Sequence, residues 1–504
     1  MAIKKYFSIA DTTISNALDQ SLLTENSATG SNMGASDILE VFRLHAQLSS
    51  STGLSSELSR VLIQFDTTNI ASDRTATNIP VSGNVSFYLK MYNARHSSTL
   101  PEDFTLTVSA VSQSWEEGNG LDMENYTDKT FQKTGSTWES RGSSGTWNTA
   151  GGDYHSEPTF NQTFQEGFED LELDVTDLVE QWLNGTKENY GFGVALTASL
   201  ESISKSYYTK KFFARGTEFY YKRPVLEARW DDSTQDDRGY FFLSSSLAPA
   251  EDNINTLFLY NVVRGRLRNI PSIGKDTLRV SLFSGSTAPT GKALTLVADG
   301  NNVLENHELV VTGGHISTGI YTASVAFTGS TDLTKVYDVW FSGSTSVTNA
   351  AAASLQFHTG AIELNTITAD GYNPSNRYIL SISNMRETYS VDEKARFKLY
   401  VRPRNWSPTI FTKANDVPET TIISSASYEI FRASDNLKII PFGTGSDMHT
   451  ALSYNVSGNY FDLDMSCFEG GEMYGVRFAF YDDAVGSWNT QPYEFKFKVS
   501  RDEY

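Results

Sequence analysis

Leu173-Asp174-Val175-Thr176-Asp177-Leu178-Val179-Glu180-Gln181-Trp182-Leu183-Asn184-Gly185 breaks a chain that otherwise reads as strands. Val175, Leu178, Val179, Trp182 and Leu183 recur at i, i+3, i+4, i+7 and i+8, one apolar stripe along a short helix. Asp174 or Thr176 is placed to cap its start, and Gly185 to end it in a left-handed turn. Asn189-Tyr190-Gly191-Phe192-Gly193-Val194 then returns to strand chemistry. The stripe predicts a single helix plugging one end of a β structure. A surface helix of any fold carries the same stripe, so its surroundings decide.

Those surroundings are rich in strand formers. Of 504 residues, 39% are hydrophobic, 12% aromatic and only 20% charged, with 25 Tyr and 30 Phe. Aromatic and β-branched side chains suit a pleated, half-buried surface, the palette of antiparallel sandwiches. The length predicts about three domains. The net charge of −20 repels phosphate backbones, and no basic stripe offsets it, so nucleic acid is excluded as a partner. Arg264-Gly265-Arg266-Leu267-Arg268 is the one local basic run and reads as an exposed strand or loop. Cys467 is the single cysteine. It permits no intrachain disulfide, fits synthesis in a reducing cytosol, and reads as a small core residue. Lys4-Lys5 imitates the start of a signal peptide, but the apolar run ends at Asp11. Neither an export signal nor a membrane span of about 18 apolar residues is expected.

Ile9-Ala10-Asp11-Thr12-Thr13-Ile14 precedes a Gly/Ser/Asn-rich turn ending Asn32-Met33-Gly34-Ala35-Ser36. Ile38-Leu39-Glu40-Val41 and Arg60-Val61-Leu62-Ile63-Gln64-Phe65-Asp66 follow, then Trp115-Glu116-Glu117-Gly118 and Thr146-Trp147-Asn148-Thr149-Ala150. After the helix come Phe212-Phe213-Ala214-Arg215 and Arg223-Pro224-Val225-Leu226-Glu227-Ala228-Arg229-Trp230. This order resembles the disaggregatase-related jelly-roll module, which is similar to some carbohydrate-binding modules. The resemblance covers residues 1–231 and implies a jelly-roll β-sandwich with one short helix and a sugar-binding role. Residues 231–238 are a polar, acidic break that predicts a linker. Beyond it, residues 232–366 and 367–504 each read as an immunoglobulin-like β-sandwich of short strands. Gly319–Phe327 and Val336–Phe341 look like the last two strands of the first of these. The second resembles the sandwich extensions of phage structural proteins. Its last strand, Tyr493 to Val499, alternates apolar and charged side chains. With few residues after it, that strand must pack inside its own domain or against a neighbour, which predicts a multimer.

Chemistry is sparse in this pattern. His45, His96, His155, His307, His315, His358 and His449 are scattered, with no metal-ligand spacing. Residues 285–293 imitate a phosphate loop, but the spacer is too long and no helix follows, so a hairpin loop is expected. Glu116-Glu117 cannot face one substrate from a strand, where neighbours point to opposite faces. No catalytic residue and no cofactor is expected. A structural Ca²⁺ would fall at Asp11, Asp37 and Asp66, but solvated turn roles are the favoured reading, since Asp is common in turns on its own account. Trp115 and Trp147 read as core. Trp138 and Tyr154 are the candidates for an exposed glycan-facing surface. Together these readings predict a non-enzymatic structural protein of a tailed-phage virion, in tail, neck or fibre. Other virion proteins, further copies of itself and a host surface polysaccharide are the expected partners. An extracellular carbohydrate-binding protein is the alternative.

Overall fold

The computed structural model describes residues 2–18, 30–50, 53–95, 101–121, 135–143, 145–329, 333–343, 347, 349–350, 353–367, 377–410 and 419–501. The fold is all-β, 45% strand and 9% helix. It forms two compact units: residues 2–231 with 445–449, and residues 232–444 with 450–504.

The first unit is a sandwich of two antiparallel sheets. One holds β1 (Ile3–Phe7), β11 (Val225–Arg229), β5 (Ser86–Met91) and β8 (Leu171–Asp174), in that order. The other runs β10 (Tyr207–Phe213), β3 (Ile38–Ser50), β4 (Gly53–Gln64), β9 (Phe192–Leu196), β6 (Phe104–Val111) and β7 (Tyr154–Phe164), with β2 (Ala10–Ser15) also paired to β4. The chain passes between the sheets at β1–β2, β4–β5, β5–β6, β7–β8, β8–β9 and β10–β11, the winding of a jelly roll. Strand alternation selects the core. Val61 and Ile63 are buried with Phe87, Leu89, Leu106, Val108 and Leu226 between the sheets.

Helix α2 (Thr176–Leu183) closes one end of this core. Val175, Leu178, Val179 and Trp182 are buried. The Trp182 ring meets Phe192 edge-on, with centroids 4.8 Å apart. Asp174 accepts the Thr176 N–H at 3.0 Å, and Gly185 takes φ +77°, a conformation that favours glycine. The expectation of a single helix is too low. Helix α1 (Thr67–Thr75) precedes it, with Ile70 as its single buried residue. A third short helix spans Ala198–Ser202 with none. Neither has an apolar stripe to reveal it.

The second unit contains two immunoglobulin-like sandwiches. In the first, Asn255–Tyr260 pairs with Ile320–Ala326, while Gln356–Glu363, Lys335–Phe341 and Leu278–Ser284 form the opposite sheet. Val310–Ser317 serves both: its early residues pair with Leu278–Ser284 and its later ones with Ile320–Ala326. The expectation that Ile320–Ala326 and Lys335–Phe341 are the last two strands is therefore corrected. They lie in different sheets, and Gln356–Glu363 closes the domain. Residues 231–238 are also more than a linker. Gln235 bridges to Tyr454 in parallel, the Tyr454 hydroxyl donates to Asp237 at 2.7 Å, and Asp237 accepts the Thr256 N–H at 2.6 Å. This segment ties the two sandwiches of the unit together. The boundary expected near 366–367 runs into residues 368–376, outside the described residues.

The second sandwich orders Tyr378–Ile382, Lys394–Pro403, Gly458–Asp464 and Ser453–Asn455 in one sheet. Thr388–Ser390, Phe495–Ser500, Met473–Asp482, Ala426–Arg432 and Lys438–Ile440 form the other. The short Thr388–Ser390 strand runs parallel to the last strand, completing the immunoglobulin arrangement of four strands against a sheet centred on Ala426–Arg432, Met473–Asp482 and Phe495–Ser500. Tyr474, early in its strand, accepts the Glu469 N–H at 2.8 Å and donates to its carbonyl at 3.1 Å, the tyrosine corner of such sandwiches. Cys467 is half-buried at a helical turn and lacks the core position expected of it. The last strand is paired on both sides, to Met473–Val476 and to Thr388–Ser390. Phe497 and Val499 are buried in its own domain. The unpaired-edge reason for a multimer is thus overturned.

Candidate functional site

Trp115, Trp138 and Trp147 converge, but not on solvent. They are buried with Ile14, Leu62 and Val111, and Tyr154 packs against them. Leu62 points away from the core that Val61 and Ile63 fill, so the cluster covers the outer face of the larger sheet. Trp115 Nε1 donates to the Tyr190 carbonyl at 2.8 Å and Trp147 Nε1 to that of Thr137 at 3.0 Å. Arg60 lies over Trp138 and Tyr154, 5.3 and 5.7 Å from their ring centres, and grips Glu201 at 2.9 and 2.7 Å. Trp138 is 7% exposed, and burial pushes the Tyr154 hydroxyl up to about 12. A Cβ at Gly151 would come within 2.8 Å of the Trp138 ring, so the loop lies directly on it. Trp138 and Tyr154 are thus corrected from glycan-facing residues to structural ones.

The three aspartates considered for calcium have separate tasks. Asp66 caps α1 through the Thr68 N–H at 2.9 Å. Asp37 is exposed in its turn. Asp11 is buried and accepts the Arg215 N–H at 2.6 Å. Burial pushes its carboxyl up to about 7, the Arg215 N–H opposing and the Glu117 carboxylate adding. Among the described residues no group of three or more His, Cys, Asp or Glu is arranged to hold a metal ion. Glu116 and Glu117 lie outside any strand and take separate partners: Glu117 binds Arg215 at 3.1 and 2.7 Å, and Glu116 accepts the Ser143 N–H at 3.0 Å. His96 lies outside the described residues. Residues 285–293 form a loop closed by the Gly291 N–H on the Ser284 carbonyl at 2.8 Å. Glu227 is fully buried among Lys5 at 3.1 Å and Arg229 at 2.6 Å. Burial alone would raise it, but Lys5, Lys90 and Arg229 hold it well below the carboxylate range.

A concave surface lies elsewhere on the first unit. A cavity of about 350 Å³ opens between β1 and α1, lined by Lys4, Tyr6, Phe7, Ile9, Asn69 and Asp73 among others. Asp73 is its polar hub. It accepts from Lys4 at 2.7 Å, the Tyr6 hydroxyl at 2.8 Å and Asn78 at 3.0 Å. Burial works to raise Asp73, yet these donors keep it below its usual value. Phe7 carries the lining outward, its ring 4.6 Å from Tyr220. Tyr220 and Phe219 are each 47% exposed and Ile9 51%. Arg223 lies 5.6 Å from the Tyr220 ring centre and Lys222 5.3 Å from that of Phe219. Exposed aromatic faces beside hydrogen-bonding groups can stack on a sugar ring and hold its hydroxyls. Phe219-Tyr220-Tyr221-Lys222-Arg223 is plain in the sequence, but its place beside residues 4–9 and 66–73 depends on the strand order.

No family model matches the chain, and no curated protein matches its sequence. Among solved structures, titin domains Z1Z2 in complex with telethonin align at 11% identity and a TM-score of 0.14, over 49% of this chain and 98% of that one. A TM-score that low establishes no shared fold. The immunoglobulin-like assignment stands on strand order and pairing.

Proposed function

We propose that this chain is a non-enzymatic structural protein of a tailed-bacteriophage virion, a tail, neck or fibre component. It is made in the host cytoplasm and assembled with other virion proteins and further copies of itself. The observation that carries this reading is the modular build: a jelly roll followed by two immunoglobulin-like sandwiches. Separate β modules in one chain can divide a surface contact and an anchor between them. The acidic charge of −20 disfavours contact with packaged nucleic acid. Gold-labelled antibody against the chain should decorate intact purified particles at one fixed location. Bare particles from a lysate that contains the protein would refute the reading.

The Phe7–Tyr220 ring pair beside the cavity supports a second reading, an extracellular carbohydrate-binding protein, and would also serve a virion protein in contact with host surface polysaccharide. Tyr220→Ala should weaken retention on immobilised cell-surface polysaccharide by about 2- to 10-fold, since stacking contacts are worth about 0.5–1.5 kcal/mol. Trp138→Phe should leave retention unchanged. Equal retention of wild type and Tyr220→Ala would remove the glycan role from this surface.

A further inference from the structure

A small hairpin in the second unit stands apart from both cores. Val262–Val263 pairs with Arg266–Leu267, Val262 opposite Leu267 and Val263 opposite Arg266. Arg264 and Gly265 form its turn at φ +52° and +77°, the two-residue geometry that matches strand twist. Its base is fixed. The Arg268 N–H donates to the Asn261 carbonyl at 3.0 Å, the Asn261 side chain to the Arg268 carbonyl at 2.6 Å, and the Asn261 N–H to the Gly319 carbonyl at 2.8 Å. Above that base every residue from Val262 to Arg268 is exposed.

Opposed residues share a face. Val262 and Leu267 occupy one, 57% and 41% exposed, and Val263 the other, 49% exposed. Tyr260 at 36% and Ile316 at 56% extend the apolar surface nearby. A two-stranded ribbon is marginal by itself, and apolar residues on both its faces contribute nothing to either sandwich. Exposed apolar surface of this kind marks an interaction site. The hairpin also concentrates Arg264, Arg266 and Arg268 in a chain whose net charge is −20.

We propose that the hairpin docks on an acidic surface of a second copy of this chain. The arginines would pair with carboxylates, and Val262, Val263 and Leu267 would lose water against the partner. A basic hairpin meeting a different, acidic patch is a head-to-tail contact, which closes into a ring or extends as a filament. This inference does not depend on the particle role and can fail while that role stands.

Sedimentation of the full-length protein at micromolar concentration tests it. We expect association in about 50 mM salt that weakens in about 500 mM salt, as charge pairing requires. Arg264→Glu with Arg266→Glu should lower the association constant by more than about 10-fold, and Val263→Ser should lower it at both salt concentrations. The melting temperature should hold in both variants, because these side chains pack against neither core. A wild-type protein that stays monomeric at low salt would overturn the proposal, even if it bound anionic vesicles. So would variants that associate like the wild type.

Discussion

Trp182 is the residue on which the end of the jelly roll closes. It is 6% exposed and packs edge-on against Phe192. Trp182→Ala leaves a cavity that the rigid sheets cannot fill, so the first unit should lose about 3–5 kcal/mol in urea unfolding. Asp11 has a signature in pH. Its folded value of about 7 stands above the ordinary 3.8. Between about pH 4 and about pH 7 the folded state keeps a proton that the unfolded chain releases. Its contribution is therefore complete at low pH and is lost as the pH rises through that window. Asp11→Asn should flatten the corresponding slope of urea midpoint against pH. An unchanged slope would show that Asp11 titrates normally.

Among elements, α2 is legible in the sequence through its amphipathic periodicity, because a stripe of five apolar residues has one physical solution. Helix α1 has no such signal; its formation rests on the Asp66 cap and the single burial of Ile70. The alternation of the last strand is legible too, but its edge status is not. Thr388–Ser390 covers it from more than a hundred residues away in sequence, and local pattern carries no such information. Trp115 and Trp147 read as core and are buried, but in the cluster on the outer face of the larger sheet instead of between the sheets. Trp138 and Tyr154 do not read so, because only the fold shows that their loop lies back on the outer face of the sheet. The cavity between β1 and α1 escapes sequence reading for the same reason. In the last sandwich, Tyr474→Phe removes the hydroxyl that serves both the N–H and the carbonyl of Glu469. This should cost about 1–3 kcal/mol, the penalty for groups left unpaired. Thermal unfolding of residues 232–504 would measure it, and an unchanged midpoint would make the tyrosine corner incidental.

At the scale of the whole molecule, composition alone predicts an all-β chain, while the grouping of residues 445–449 with residues 2–231 in one compact unit has no local signal in the sequence. Strand counts by themselves do not reveal a strand shared between two sheets, as Val310–Ser317 is. The proposed function also belongs to this scale, since it rests on the combination of modules in one chain. Quantitative mass spectrometry of density-purified phage particles, from a lysate rich in this protein, addresses it directly. The chain should be present at a fixed ratio to the major capsid protein, unchanged by a high-salt wash. Its absence from particles, or a ratio that falls toward zero with washing, would contradict a structural role in the virion.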